Sequence, residues 1–364
     1  MSPLSDRILM GPGPCNPYPE AVAALGRPML GHLDPEFIAV LDETNQRLRT
    51  VFGTTNRLTF PVSGTGSAGM EAAIINVLGP GDVVVIGVNG VFGNRMCDVA
   101  GRAGAEVVRV DFDWGTPVDA ERLLAAHPNP TAIAMVQAET STGALSPLAD
   151  IGANKGDALF IVDCVTSLAG TPVELDANNV DIAYSGTQKC LGVAPGLAPL
   201  SVSDRAIERI KPKPQSWYLD LNMIANYVTG GGARAYHHTA PISMIFSIHA
   251  GLAVVLDEGL DNAITRHRRC GTMLQDGLEK RGFELFATEG FRLPQLTSVV
   301  IPEGRFGALG EGEVRRTMLD RYGIEVGGGL GDFAGKIWRI GCMGHTARER
   351  NVALLLAAID ELSA

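Results

Sequence analysis

Between residues 58 and 202 the chain repeats one pattern: a short apolar run, a turn, a stretch of helical spacing, another apolar run. The runs are Leu58–Val62, Val83–Val88, Glu106–Val110, Ala132–Val136, Leu159–Asp163, Ile182–Ser185 and Pro199–Val202. Most are nearly continuous in Val, Ile, Leu and Ala. Strands of that kind have to be buried on both faces, and helices between successive strands supply the cover. Helical spacing is found at Asn94–Ala103, Asp119–Ala126 and Asp150–Lys155, and earlier at Pro35–Val51. The pattern predicts an α/β fold built on a mostly parallel seven-stranded sheet flanked by helices. Ligands of such sheets bind beyond the carboxyl ends of the strands.

Ser243–Leu260 reads as a long helix able to link two domains. Beyond it, helical patterns at 263–281, 311–322 and 346–362 accompany short strands at 297–301 and 336–340, which suggests a smaller α+β domain. The expected division is an arm at 1–20, a large domain at 21–258 and a small domain at 259–364. Met10–Pro19 is too rich in Pro and Gly for helix or strand. It reads as an extended arm, and composition alone allows a disordered tail equally well. Lys211–Gln215 and Thr229–Arg234 read as surface excursions.

The chain has 364 residues, 46% of them hydrophobic, which is ample for a large core. A net charge of −10 argues against nucleic acid and anionic membranes as partners. The six cysteines, at 15, 97, 164, 190, 270 and 342, form no CxxC pair and read as free thiols of a reducing compartment. The first residues carry no signal-peptide pattern, and no apolar run approaches the roughly 18 residues of a spanning helix. A soluble, cytoplasmic protein is expected.

Three features carry chemistry. Asp163 closes one apolar run, and Lys189 lies in the loop Ser185-Gly-Thr-Gln-Lys189 after the next. A lysine can form a Schiff base with the aldehyde of pyridoxal 5'-phosphate, and an aspartate can keep its pyridine nitrogen protonated. Upstream, Ser63-Gly-Thr-Gly-Ser-Ala-Gly69 runs into the helical stretch Met70–Leu78. A Gly/Ser/Thr loop opening a helix presents free N–H groups and hydroxyls to a phosphate. Singly, Lys189 reads more readily as an exposed loop lysine, Asp163 as a cap and the glycines as an ordinary turn. The order phosphate loop, Asp, Lys is more specific than any part.

Further pieces occur in the same order as in a known family: Gly11-Pro-Gly-Pro14, Glu139-Thr-Ser-Thr-Gly143, Tyr236-His-His-Thr239, Gly327-Gly-Gly-Leu-Gly331 and Trp338-Arg-Ile-Gly341. With these the chain resembles the class V, fold-type I aminotransferases over nearly its whole length. It looks nearest to the alanine–glyoxylate and serine–glyoxylate (serine–pyruvate) enzymes.

The resemblance implies roles. Lys189 would carry the cofactor and shuttle a proton, and Asp163 would pair with the ring nitrogen. Val165 would pack on the ring, and Phe92 would stack on it where many relatives have tryptophan. Ser63, Gly64, Thr65 and Gln188 would hold the phosphate, and Ser141 would lie near the ring hydroxyl. Tyr236 and Thr239 would reach the phosphate of a neighbouring subunit, so a homodimer with shared sites is implied. Arg339 would clamp the substrate α-carboxylate, with Gly13 and His32 on the substrate side.

The implied activity moves the amino group of alanine or serine to glyoxylate or pyruvate by a ping-pong mechanism. Small amino acids and 2-oxo acids would be its partners. A ureidoglycine–glyoxylate or a pyridoxamine–pyruvate enzyme is the alternative. A cysteine desulfurase would need a reactive cysteine in the Gly327–Gly331 loop, which has none. A non-catalytic homologue would have no reason to keep Asp163, Lys189 and Arg339 together.

Overall fold

A computed structural model describes residues 5–229 and 234–363. The glycines at the centre of the expected 229–234 excursion lie outside the described residues. Seven strands form the main sheet: β1 (Leu58–Ser63), β2 (Val83–Val88), β3 (Glu106–Asp111), β4 (Ala132–Val136), β5 (Leu159–Asp163), β6 (Ile182–Tyr184) and β7 (Leu197–Val202). Their spatial order is β1-β7-β6-β5-β4-β2-β3. β7 runs antiparallel to both neighbours, and every other pair is parallel. The exception has a local cause. Residues 185–196 join β6 to β7 without a helix, so the chain turns back beside the strand it has left. Two reversals restore direction, and the ends of β1, β5 and β6 share one edge of the sheet.

Strands β4 to β7 are buried along their whole length, as their apolar runs require. Edge strand β3 alternates in exposure and carries the Arg109–Asp111 ion pair, 2.5 Å, on its open side.

Five helices bear on the site and on the chain's passage out of the sheet region: α1 (Pro35–Phe52), α2 (Gly66–Ile75), α3 (Val91–Arg102), α4 (Ile242–Glu258) and α5 (Leu260–Glu279). The start of α1 is set by Asp34, whose side chain accepts the Glu36 N–H, and by Pro35 at the first helical position. Its end is set by Gly53 in the left-handed region, φ 64°. Helix α2 lies directly on the sheet because Gly69 has no side chain: a β-carbon there would stand 3.0 Å from Ala198 and 3.1 Å from Tyr184. Helices α4 and α5 meet at 84° at Gly259, whose φ of 87° makes the corner. Among the described residues, no single helix is long and apolar enough to cross a membrane.

The buried side chains sort into two clusters. The larger surrounds the seven-stranded sheet. The smaller includes Leu274, Val299, Trp338 and Leu355 and lies about an antiparallel sheet of Glu284–Leu285, Leu296–Val300, Ile337–Gly341 and Gly327–Gly328. The arm serves both: Met10 is in the smaller cluster, Cys15 and Tyr18 in the larger. Ile8–Leu9 pairs in parallel with Ile324–Glu325, and the Gly341 N–H donates to the Met10 carbonyl at 2.8 Å. The Lys211–Gln215 excursion is tied down rather than loose. Lys211 pairs with Asp82 at 2.5 Å, Pro214 is buried, and Gln215 donates to the Ala103 carbonyl at 2.6 Å.

Candidate active site

A cavity of about 130 Å³ opens at the carboxyl edge of the sheet. The end of β5 supplies Asp163, and the loop after β6 supplies Gln188 and Lys189. Thr65, Gly66 and Ser67 come from the start of α2, Phe92 and Arg95 from the start of α3. Val136, Thr140 and Val165 complete the wall beside these groups.

Asp163 is 3% exposed, and its Oδ1 accepts the Val165 N–H at 2.8 Å. Burial in a strand of apolar neighbours pushes its carboxyl up to about 6, against the pull of that N–H. Among the described residues it has no ion-pair partner. A buried carboxyl on a cavity wall without a cation suits a ligand N–H.

Lys189 is 7% exposed, and burial brings its ammonium down to about 8, with the charge of Arg339 acting in the same direction. Its Nζ donates to the Pro12 carbonyl. The arm braces this loop: Cys15 N–H donates to the Gln188 carbonyl at 2.9 Å, and Cys15 Sγ lies 3.1 Å from the Lys189 carbonyl. Beside Pro12, Gly13 has φ +111°, and a β-carbon on it would come within 2.5 Å of Nζ.

Helix α2 ends openly on the cavity. Thr65 is its N-cap but makes no side-chain cap bond, and the N–H groups of Gly66 and Ser67 have no protein acceptor among the described residues. Gln188 Oε1 is buried without a partner among the described residues. The unmet N–H groups and the Thr65 and Ser67 hydroxyls fit a phosphate, to which Gln188 could add only its amide NH2, since its Oε1 accepts. The residues that reach the cavity start two positions later than the sequence alone suggests. Ser63 still belongs to β1, and its hydroxyl bonds Tyr218 Oη at 2.8 Å away from the cavity. Gly64, with φ +136° and its N–H on the Gly196 carbonyl, makes the turn between strand and helix. Thr65 remains, and Gly66 and Ser67 join it.

Ser141 is likewise displaced by one residue from Thr140, which lines the cavity. Its hydroxyl donates to Glu139 Oε1 at 2.5 Å and accepts the Val91 N–H at 2.9 Å. Glu139 has a part that sequence reasoning does not assign it. It is fully buried, and its Oε2 accepts the N–H groups of Phe92 and Gly93 at 3.1 and 3.4 Å. Burial pushes this carboxyl up, against hydrogen bonds that favour its charge. It caps α3 from another segment and so sets where Phe92 stands. An acid inside a Thr/Ser/Gly turn is the only trace of this in the sequence.

Arg339 is 8% exposed on the strand Ile337–Gly341. Nε donates to the Gly328 carbonyl at 2.8 Å and Nη1 to the Thr140 carbonyl at 3.3 Å. Among the described residues, three of its five N–H groups stay free and it has no ion-pair partner. Burial lowers its pKa, and Glu139 opposes that. A buried guanidinium so held has the geometry to accept a carboxylate, and Arg339 reaches the cavity through Thr140 rather than lining it itself. Among the described residues, no cysteine lines the cavity.

The remaining expected residues lie elsewhere in this chain. Tyr236 is 54% exposed and shares a hydrogen bond of 3.2 Å with Thr239. The His32 ring lies 4.7 Å from that of Tyr236, tilted by 43°, and its carbonyl accepts from Tyr227 at 2.6 Å. None of the three lines the cavity.

The class-V aminotransferase family model matches residues 15–333. An alanine–glyoxylate aminotransferase from Callithrix jacchus is 40% identical over 373 aligned positions, spanning 99% of this chain and 89% of that protein. An (S)-ureidoglycine–glyoxylate transaminase from Bacillus subtilis is 36% identical, spanning 97% of this chain and 90% of its own length. The crystal structure of an alanine–glyoxylate aminotransferase from Nostoc sp. superposes with a TM-score of 0.94 at 44% identity, covering 100% of this chain and 97% of the other. The lysine, the aspartate and the open helix end thus stand in a chain that belongs to the class-V aminotransferases.

Proposed function

We propose that the protein transfers the amino group of a small neutral amino acid, alanine or serine, to glyoxylate, using pyridoxal 5'-phosphate and working as a homodimer. The observation that carries this reading is the single cavity on which Asp163, Lys189 and the unmet N–H groups of Gly66 and Ser67 converge. The identities and near-complete coverage of the alanine–glyoxylate relatives support the substrate pair.

When bound, pyridoxal phosphate supplies a carbonyl that condenses with amines and a ring that takes up the electron pair left at the substrate Cα. The residues do the rest. Asp163, whose carboxyl burial pushes up to about 6 and which stays largely ionised at neutral pH, would hold a proton on the ring nitrogen. Lys189, brought to about 8, can take and return a proton near working pH. Arg339 fixes the α-carboxylate and with it the direction of the bond to be broken. The apolar Phe92 and Val165 on the cavity wall would keep water from the ring.

A distal carboxylate on the donor would need a second cation. Arg234 is taken up by Asp42 at 2.5 Å and by the Tyr227 carbonyl at 2.8 Å. Arg95 does line the cavity, at the end where the helix α2 N–H groups are open. The second reading, ureidoglycine as donor, is supported by the Bacillus subtilis relative. A coupled assay of glyoxylate against alanine, serine, ureidoglycine, aspartate and glutamate tests the proposal. Alanine or serine should lead in kcat/KM, and preference for a dicarboxylic donor would overturn it.

A further inference from the structure

Arg95 stands at the mouth of the cavity on the first turns of α3. Its guanidinium lies 4.8 Å from the centre of the Phe92 ring, three residues back on the same helix. Its Nη1 is 3.3 Å from Ser67 Oγ, at the open start of α2. It therefore points to the end of the cavity where the Gly66 and Ser67 N–H groups lack acceptors. Among the described residues it forms no ion pair, whereas Arg102, on the same helix, pairs with Asp98 at 2.9 Å. Apart from Lys189, it is the one cation on the cavity wall among the described residues.

A phosphate monoester carries close to two negative charges at neutral pH. The other groups at this end are neutral: two hydroxyls, an amide and backbone N–H groups. The helix end offers only a fraction of a charge. Serine at position 67 is short, which leaves space for a guanidinium to reach over it.

We propose that Arg95 is the cation that holds the cofactor's phosphate, closing the open end of α2 from the side while its other face rests on Phe92. This rests on pyridoxal phosphate being the cofactor. It assigns Arg95 to the phosphate and so leaves Arg339 as the sole clamp for substrate carboxylates.

The test uses enzyme stripped of cofactor, titrated with pyridoxal phosphate and, separately, with pyridoxal, which lacks the phosphate. Arg95→Met should raise the Kd for pyridoxal phosphate about 10- to 100-fold, the range for a lost charge-assisted contact. Arg95→Lys should recover part of this, and pyridoxal should bind all three proteins alike. Equal weakening of both compounds would overturn the assignment, since it would mean that the Phe92 wall had moved. So would unchanged pyridoxal phosphate affinity, and most pointedly if turnover of aspartate or glutamate alone were lost. Wild-type enzyme that bound neither compound would sink the cofactor reading and this assignment with it.

Discussion

Gly13 lies so close against Lys189 that a β-carbon on it would stand 2.5 Å from Nζ, 2.7 Å from Cδ and 2.8 Å from Cε. The arm is thus one wall of the slot in which the lysine side chain runs. Gly13→Ala should displace the amine and lower kcat by about 10- to 100-fold, the penalty of an ångström-scale misplacement. Its φ of +111° adds a backbone cost of about 1–2 kcal/mol. Steady-state kinetics beside a melting curve check this. A variant with wild-type kcat would show that the wall does not position the lysine.

Protein incubated with pyridoxal phosphate should turn yellow, and borohydride reduction should then leave the pyridoxyl mass on the peptide containing Lys189. Lys189→Ala should lose transamination by about a thousandfold or more, since it removes both tether and proton carrier. Peptide mapping decides: an adduct on Lys155, which pairs with Asp181 at 2.7 Å, or on Lys211 would refute the assignment.

Arg339→Lys keeps the charge but loses the planar fork. It should lower kcat/KM by roughly 10- to 100-fold for every α-amino donor alike. A loss confined to one donor would mean that Arg339 reads the side chain and not the α-carboxylate.

His267 is buried between Ala263, whose carbonyl is 2.7 Å from Nδ1, and the Gly344 N–H, which donates to Nε2 at 2.9 Å. The ring is therefore neutral, with its proton on Nδ1. Burial lowers its pKa from 6.5 to about 4. A depressed folded-state pKa means that the unfolded chain binds the proton first. The stability it confers is present above pH 6.5 and lost as pH falls towards 4, on the order of 3 kcal/mol in all. His267→Gln should flatten urea-unfolding stability across that window, and an unaltered slope would contradict the neutral ring.

Mixing Lys189→Ala protein with an inactive Tyr236 variant should restore part of the activity in hybrid dimers. The motive is that Tyr236 and Thr239 are bonded to each other at a half-exposed surface and reach no cavity of their own chain that holds Lys189. Verified hybrids without recovery would place both residues outside the site.

The seven main strands are legible almost to the residue, because an apolar run such as Leu159–Asp163, too short for a helix and bounded by turns, is best read as a buried strand. Two-residue ladders are not. Ile8–Leu9 with Ile324–Glu325, and Ala138–Glu139 with Ala144–Leu145, exist only through their tertiary partners. The site shows the same division. Asp163 and Lys189 are visible as polar residues that end or follow apolar runs. Gly66 and Ser67 line the cavity where Ser63 and Gly64 are expected, because β1 runs on to Ser63 through its pairing with Leu197. Glu139 binds the N–H of Gly93, 46 residues away in the chain, and no local pattern records that.

The ladder between Ile8–Leu9 and Ile324–Glu325, with the Met10 to Gly341 hydrogen bond, also sets an order of events in synthesis. The segment about Met10 is made long before its partners at Ile324–Glu325 and Gly341 and waits for them. At about 5–20 residues per second, the interval from residue 10 to residue 341 is roughly 20–60 s. Until then the slot for Lys189 lacks a fixed wall, so a nascent chain can complete its large sheet and still have no competent site.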